Sequence, residues 1–187
     1  MGDEIITIPS IWSRLIHSFG TKSATLSHHL ILPQLIKLPV LNLPSFEPQL
    51  QRVDDKYFIF DSLRKKLLAL TPEEWVRQHW INFLIEHQGY PKGLISLEKG
   101  LKYNQLQKRT DLVVFDRVGH PYLLIECKAP DIELNQKVLQ QALAYRATLL
   151  TPYIILSNGV KHISLVFEEN QKKFIQAPNF PPIPWIF

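Results

Sequence analysis

D-L-V-V-F-D-R-V-G-H-P-Y-L-L-I-E-C-K, from Asp111 to Lys128, is the stretch whose reading decides the fold. An acidic residue opens one apolar run, and a second apolar run ends in Glu126-Cys127-Lys128. Gly119 and Pro121 lie between the two arms, so the pattern predicts a β-hairpin. Residues two apart share one face of a strand, which turns Glu126 and Lys128 the same way. Cys127 alternates to the opposite face and reads as a small buried hydrophobe. A suitable register then sets Asp111 beside Glu126. Two carboxylates and an ammonium at the end of buried strands are costly unless they have partners. A divalent metal held by Asp111 and Glu126, with Lys128 next to it, supplies one.

On either side of the hairpin the chain alternates helix and strand signals. Thr71-Pro72-Glu73-Glu74 combines an N-cap, a proline at the first helical position and a T-x-x-E capping box. Trp75, Val76, Trp80, Phe83 and Leu84 form the buried stripe of that helix, and Gly89-Tyr90-Pro91 ends it. Leu94 to Leu101 reads as a strand and Asn104 to Arg109 as a charged turn. After the hairpin, Asn135 caps a second helix that runs to about Leu150. Pro152 to Leu156 is a continuous apolar run closed by Ser157-Asn158-Gly159, the pattern of a buried parallel strand. His162 to Phe167 alternates as a further strand. Before the first helix, Gln49 to Leu68 alternates around Asp54-Asp55 and predicts a small edge hairpin, with Arg64, Lys65 and Lys66 on a solvated face. The expectation is therefore an α/β architecture, a mixed sheet in αβββαβ order with helices on both sides.

Three regions are expected along the 187 residues. Residues 1–45 form an N-terminal extension, with a short amphipathic helix over Ile11, Trp12, Leu15, Ile16 and Phe19 and an irregular remainder broken by Pro33, Pro39 and Pro44. Residues 46–170 form the domain, and residues 171–187 a tail rich in proline and aromatics. Hydrophobic residues at 45% and charged residues at 20% are the balance of an ordinary globular protein. The net charge of +4 is compatible with a polyanion partner without demanding one. A single cysteine excludes an internal disulfide and suits a reducing compartment, so a cytoplasmic location is expected. No apolar run reaches the roughly 18 residues that span a bilayer, so no membrane partner is expected.

The chemistry that suits such a cluster is phosphodiester hydrolysis. It needs a water made more acidic, a phosphate whose charge is neutralised and a stabilised leaving oxygen. Asp111 and Glu126 would hold Mg²⁺, which prefers oxygen ligands and keeps several waters; Mn²⁺ is the expected substitute. Lys128 would position the water and stabilise charge on the pentacovalent phosphate. The chain contains no G-x-x-x-x-G-K-[ST], so it is not expected to translocate DNA by itself.

An acidic residue opening one strand and E-x-K on the next resembles the PD-(D/E)xK nuclease superfamily, with Thr110-Asp111 where the family has its "PD". More closely, six stretches in order resemble the N-terminal nuclease domain of type I restriction enzyme R subunits. They are P-E-E-W-V-R-Q (Pro72 to Gln78), G-Y-P (Gly89 to Pro91), K-R-T-D-L-V-V (Lys108 to Val114), E-C-K-A-P (Glu126 to Pro130), Gln141-x-x-x-Tyr145 and S-N-G (Ser157 to Gly159). The resemblance covers roughly Leu41 to Phe167 and is strongest for small stand-alone members. It implies a restriction-endonuclease-like three-layer core and a DNA endonuclease acting in restriction or repair. Asp111 and Glu126 are then metal ligands, Lys128 the catalytic lysine, and Gln141 and Tyr145 the Q-x-x-x-Y pair beside the site. Glu74 and Glu98 are additional, weaker ligand candidates, since Glu74 already serves the capping box and Glu98 reads more readily as an exposed strand residue. Implied partners are DNA and either other restriction-system subunits or a second copy of the chain. The competing readings are a catalytically silent nuclease-like module that binds nucleic acid or a protein, and a plain interaction protein.

Overall fold

The computed structural model describes the backbone of residues 37–97, 100–103, 106–109 and 111–184, and the side chains of all these except 100–103, 106–109 and 145–148. The expectations for residues 1–36, Glu98 and Thr110, and for the Tyr145 side chain, lie outside the described residues. Strands β1 (Leu50–Val53) and β2 (Lys56–Asp61) form the expected hairpin, turning at Asp54, whose φ of 54° is left-handed. The chain then turns again, and β3 (Lys66–Ala69) pairs with β2. The edge element is therefore a three-stranded meander rather than a hairpin.

Helix α1 (Pro72–Asn82) starts as its capping signals require, with Thr71 Oγ1 accepting the Glu74 N–H at 3.0 Å. It widens into a π-helical turn over Phe83–His87. Gly89, at φ 70°, reverses the chain so that Tyr90 N–H reaches Leu84 O at 2.8 Å. Strand β4 (Ile95–Leu97) follows. Strands β5 (Gly100–Tyr103) and β6 (Leu106–Arg109) then pair with each other as a separate hairpin, where a charged turn was expected.

The remaining elements are β7 (Leu112–Phe115), β8 (Pro121–Cys127), α2 (Gln136–Leu149), β9 (Tyr153–Ser157), β10 (His162–Glu168) and β11 (Lys173–Gln176). Together with β4 the strands build a six-stranded sheet in the order β11-β10-β9-β8-β7-β4. All its pairs are antiparallel except β8–β9, which is parallel because α2 carries the chain back across the sheet between them. At the β7–β8 turn, Asp116 Oδ1 accepts the N–H groups of Val118 and His120, and Gly119 takes φ 94°.

Alternation divides the central strands between two cores. Leu112, Val114, Leu123, Ile125, Cys127 and Ile155 pack with Val76, Trp80 and Leu84 of the first helical segment. Val113, Leu124, Ile154 and Leu156 pack with Val138, Ala142 and Leu149 of α2. The molecule is thus helix, sheet, helix, in three layers.

Packing continues across the positions expected to bound the domain. On the N-terminal side Leu43 is buried, Asn42 N–H donates to Gly159 O and Trp75 Nε1 donates to Pro39 O at 3.0 Å. On the C-terminal side β11 extends the sheet, and Phe180 packs on Trp80 and Phe83. Among the described residues no helix is long and apolar enough to cross a membrane.

Candidate active site

The hairpin places its charged ends together. Leu112 pairs with Ile125, so the residue before Leu112 meets the end of β8. There Asp111 Oδ2 accepts the Cys127 N–H at 2.7 Å, continuing the ladder with a side chain. Glu126 follows Leu124 on the α2 face and is 2% exposed. Its Oε1 accepts from Lys128 Nζ at 2.7 Å and from Gln141 Nε2 at 2.8 Å. Lys128 Nζ also donates to Gln141 Oε1 at 3.3 Å, which closes a triangle of three side chains. The parallel partner β9 fixes the backbone here, because Lys128 N–H donates to Ser157 O at 2.8 Å. Tyr145 lies one turn beyond Gln141 on α2.

Burial and the neighbouring Asp111 push the Glu126 carboxyl up to about 7, against the pull of Lys128. Burial works against the Lys128 ammonium, but its hydrogen bond and charge interaction with Glu126 win and hold it above its ordinary value. Among the described residues, buried Glu126 Oε2 has no hydrogen-bond partner. An unpartnered buried carboxylate oxygen is expensive unless a cation sits against it.

A second charged network runs along α1. Arg77 Nη2 donates to Asp111 Oδ1 at 2.7 Å and to Glu73 Oε1 at 2.9 Å, while its Nη1 contacts Glu74 Oε2. Both Glu74 oxygens are taken, because Oε1 accepts from Gln78 Nε2 at 2.8 Å. Gln78 also donates to Asp61 Oδ2 at 3.0 Å, and fully buried Asp61 accepts the N–H groups of Leu63 and Arg64 as well as Arg64 Nη1. Arg64 is therefore drawn into the domain and away from the solvated face expected for it. Burial disfavours the Arg77 charge, yet Asp111 outweighs it and holds the guanidinium above its already high ordinary value. Glu73 is half-exposed and acts electrostatically on both Glu126 and Lys128.

Sequence reading passed over Arg77 and Glu73. The available signal was an arginine one turn beyond two glutamates, set between Val76 and Trp80 of a buried stripe.

The family of the type I restriction enzyme R protein N terminus (HSDR_N) matches residues 72–181. The chain belongs to that family. The matched span holds Glu73, Glu74, Arg77, Asp111, Glu126, Lys128 and Gln141. A similar solved structure is a fragment described as an HsdR subunit of a type I restriction enzyme from Vibrio vulnificus YJ016. It is 21% identical, with a TM-score of 0.44, over 62% of this chain and 24% of that one. The chain thus spans about a quarter of that neighbour's length. None of the curated proteins matches.

The donor set at this site is of the kind that suits a hard dication. Asp111 and Glu126 offer carboxylate oxygens, and Glu126 Oε2 is an unclaimed buried acceptor. Among the described residues no three acidic, histidine or cysteine side chains converge into a closed cage. Mg²⁺ is commonly held by one or two carboxylates with water and substrate phosphate completing its shell, so two suffice. Ser157-Asn158-Gly159, by contrast, is a structural knot. Ser157 Oγ accepts the Gly159 N–H and meets His162 Nδ1 at 2.8 Å, while Asn158 donates to Ile132 O and accepts from the Val160 and Lys161 N–H groups.

Proposed function

We propose that this chain is a Mg²⁺-dependent endonuclease that hydrolyses DNA phosphodiester bonds in a restriction or repair setting, with Mn²⁺ as a substitute ion. The observation that carries this reading is the Glu126–Lys128–Gln141 triangle beside Asp111, in a domain of a restriction-subunit family. Asp111 and Glu126 would hold the ion. When bound, the ion supplies acidification of water and neutralisation of phosphate charge. Lys128 carries its proton at working pH and directs Nζ at the attacking water and the charge building on phosphorus. Gln141 fixes Lys128 relative to Glu126, so both keep their places as substrate arrives. Tyr145 on the same helix belongs to the same positioning pair, and Glu74 and Glu98 remain supplementary acidic candidates. The partners that fit are DNA and either further restriction subunits or a second copy, in the cytoplasm.

A catalytically silent module is the rival, and the observation on its side is that Arg77 already occupies an Asp111 oxygen. Incubating the purified chain with plasmid DNA and Mg²⁺ or Mn²⁺ separates the two. Metal-dependent nicking that disappears in Lys128→Ala is the expected result. A folded protein that cuts no form of DNA or RNA sinks the endonuclease reading.

A further inference from the structure

The buried guanidinium between α1 and the hairpin has a role that packing alone does not explain. Arg77 is 5% exposed, and its two terminal nitrogens reach three carboxylates, on Glu73, Glu74 and Asp111. Only the planar fork of arginine spans such a set; a lysine offers one point charge. Among the described residues its buried Nε has no hydrogen-bond partner, and its terminal nitrogens are directed at the acids. A buried guanidinium is costly to desolvate and is kept only where its partners return that cost.

The charges near it do not balance. Asp61, Glu73, Glu74, Asp111 and Glu126 stand against Arg64, Arg77 and Lys128. Among the described side chains, five carboxylates stand against three cations, an excess of acid that a divalent ion would offset. Among the same described side chains, Arg77 is the cation in contact with Asp111.

We propose that Arg77 is the resident counter-cation of the metal site: it holds Asp111 in place before a divalent ion arrives and weakens the affinity for that ion. This rests on the reading of Asp111 and Glu126 as metal ligands. Asp111 is fixed on both oxygens, by Cys127 N–H on one side and Arg77 on the other, so the carboxylate is oriented without metal. A dication bound there also feels the repulsion of a guanidinium only a few ångströms away, which screening in a partly buried site does not remove. Arg77 is thus a positioning residue, and the site it keeps is preassembled and weakly binding.

The test is calorimetric titration of the full chain with Mn²⁺, with thermal melts in EDTA and in Mg²⁺, for wild type, Arg77→Gln and Arg77→Lys. Removing the charge in Arg77→Gln is expected to tighten Mn²⁺ binding by about tenfold or more. The gap between its melting temperatures in EDTA and in metal should widen. Arg77→Lys keeps the charge and is expected to stay within about threefold of wild-type affinity. If Arg77→Gln is unfolded in EDTA, refolding by metal, read by circular dichroism, supports the proposal. Unchanged or weaker Mn²⁺ binding in Arg77→Gln overturns it, as does a variant that stays unfolded with and without metal. A wild-type chain that binds no Mn²⁺ instead refutes the metal site itself, whatever the Arg77 variants do.

Discussion

Lys128 is held by Glu126 and Gln141 but secures no part of the core, so its removal separates chemistry from stability. Lys128→Ala is expected to lower metal-dependent nicking by about a hundredfold or more while the melting temperature changes little, read on plasmid gels and by thermal melts. Asp111→Asn keeps an oxygen for the Cys127 N–H but sets its amide NH2 against the Arg77 donor, so it probes the proposed metal ligand together with that ion pair. Glu126 carries a pH signature. Its folded-state value is raised from 4.5 to about 7, so the folded protein binds this proton more tightly than the unfolded chain. The stability it contributes is fully present below 4.5 and is lost as pH rises through about 7. Relative to Glu126→Gln, the metal-free wild type should therefore lose melting temperature across that window. That Asp111, Glu126 and Lys128 come together at one end of the hairpin was legible, because strand alternation and an E-x-K spacing are local. Arg77 and Glu73 were not, because the contact of Arg77 with Asp111 spans 34 residues of sequence and no spacing rule reaches that far.

Among the elements, α1 was readable from its first four residues. Thr71 accepts the Glu74 N–H as the capping box requires, and Thr71→Ala should cost about 1 kcal/mol in a denaturant melt. The turn after β9 is more exacting. Gly159 sits at φ 81°, and a Cβ there would come within 2.8 Å of Leu41 Cδ2 and 2.9 Å of Val76 Cγ2. Gly159→Ala should destabilise by more than about 1 kcal/mol, through both the backbone and the displaced methyls. The β5–β6 hairpin and β11 were misjudged because their stretches are short and rich in polar residues, and such alternation does not separate an edge strand from a turn. In the first case Gly100 pairs with Arg109 and Leu101 with Lys108; in the second Glu168 pairs with Lys173, and only the neighbouring strand reveals either element.

At the scale of the molecule, His162 ties the layers together. Its Nε2–H donates to Asn42 O at 2.9 Å, so Nδ1 accepts from the Ser157 hydroxyl, and its ring stands edge-on to Trp80. Burial pushes the imidazole down to about 4 from 6.5. The unfolded chain then binds the proton first, so the contribution of His162 is fully present above 6.5 and is lost as pH falls toward about 4. Acid titration followed by circular dichroism should show this loss, and His162→Gln should remove its slope even if the variant is less stable at neutral pH. The slope is opposite in sign to that of Glu126 over an overlapping window, so the two oppose each other in the wild type and are separated by comparing His162→Gln with Glu126→Gln.

Local rules were enough for two helices with their caps, a hairpin with a carboxylate at one end and E-x-K at the other, and a parallel strand marked by a continuous apolar run. Those follow from periodicity, capping and turn chemistry, which act over a few residues. Only the tertiary structure decided that Arg77 clamps Asp111 to α1, that Gln141 closes on Glu126 and Lys128, and that Ser157-Asn158-Gly159 serves packing rather than chemistry. Charges buried together must find one another across the sheet, and that pairing is set by which faces the layers bring into contact.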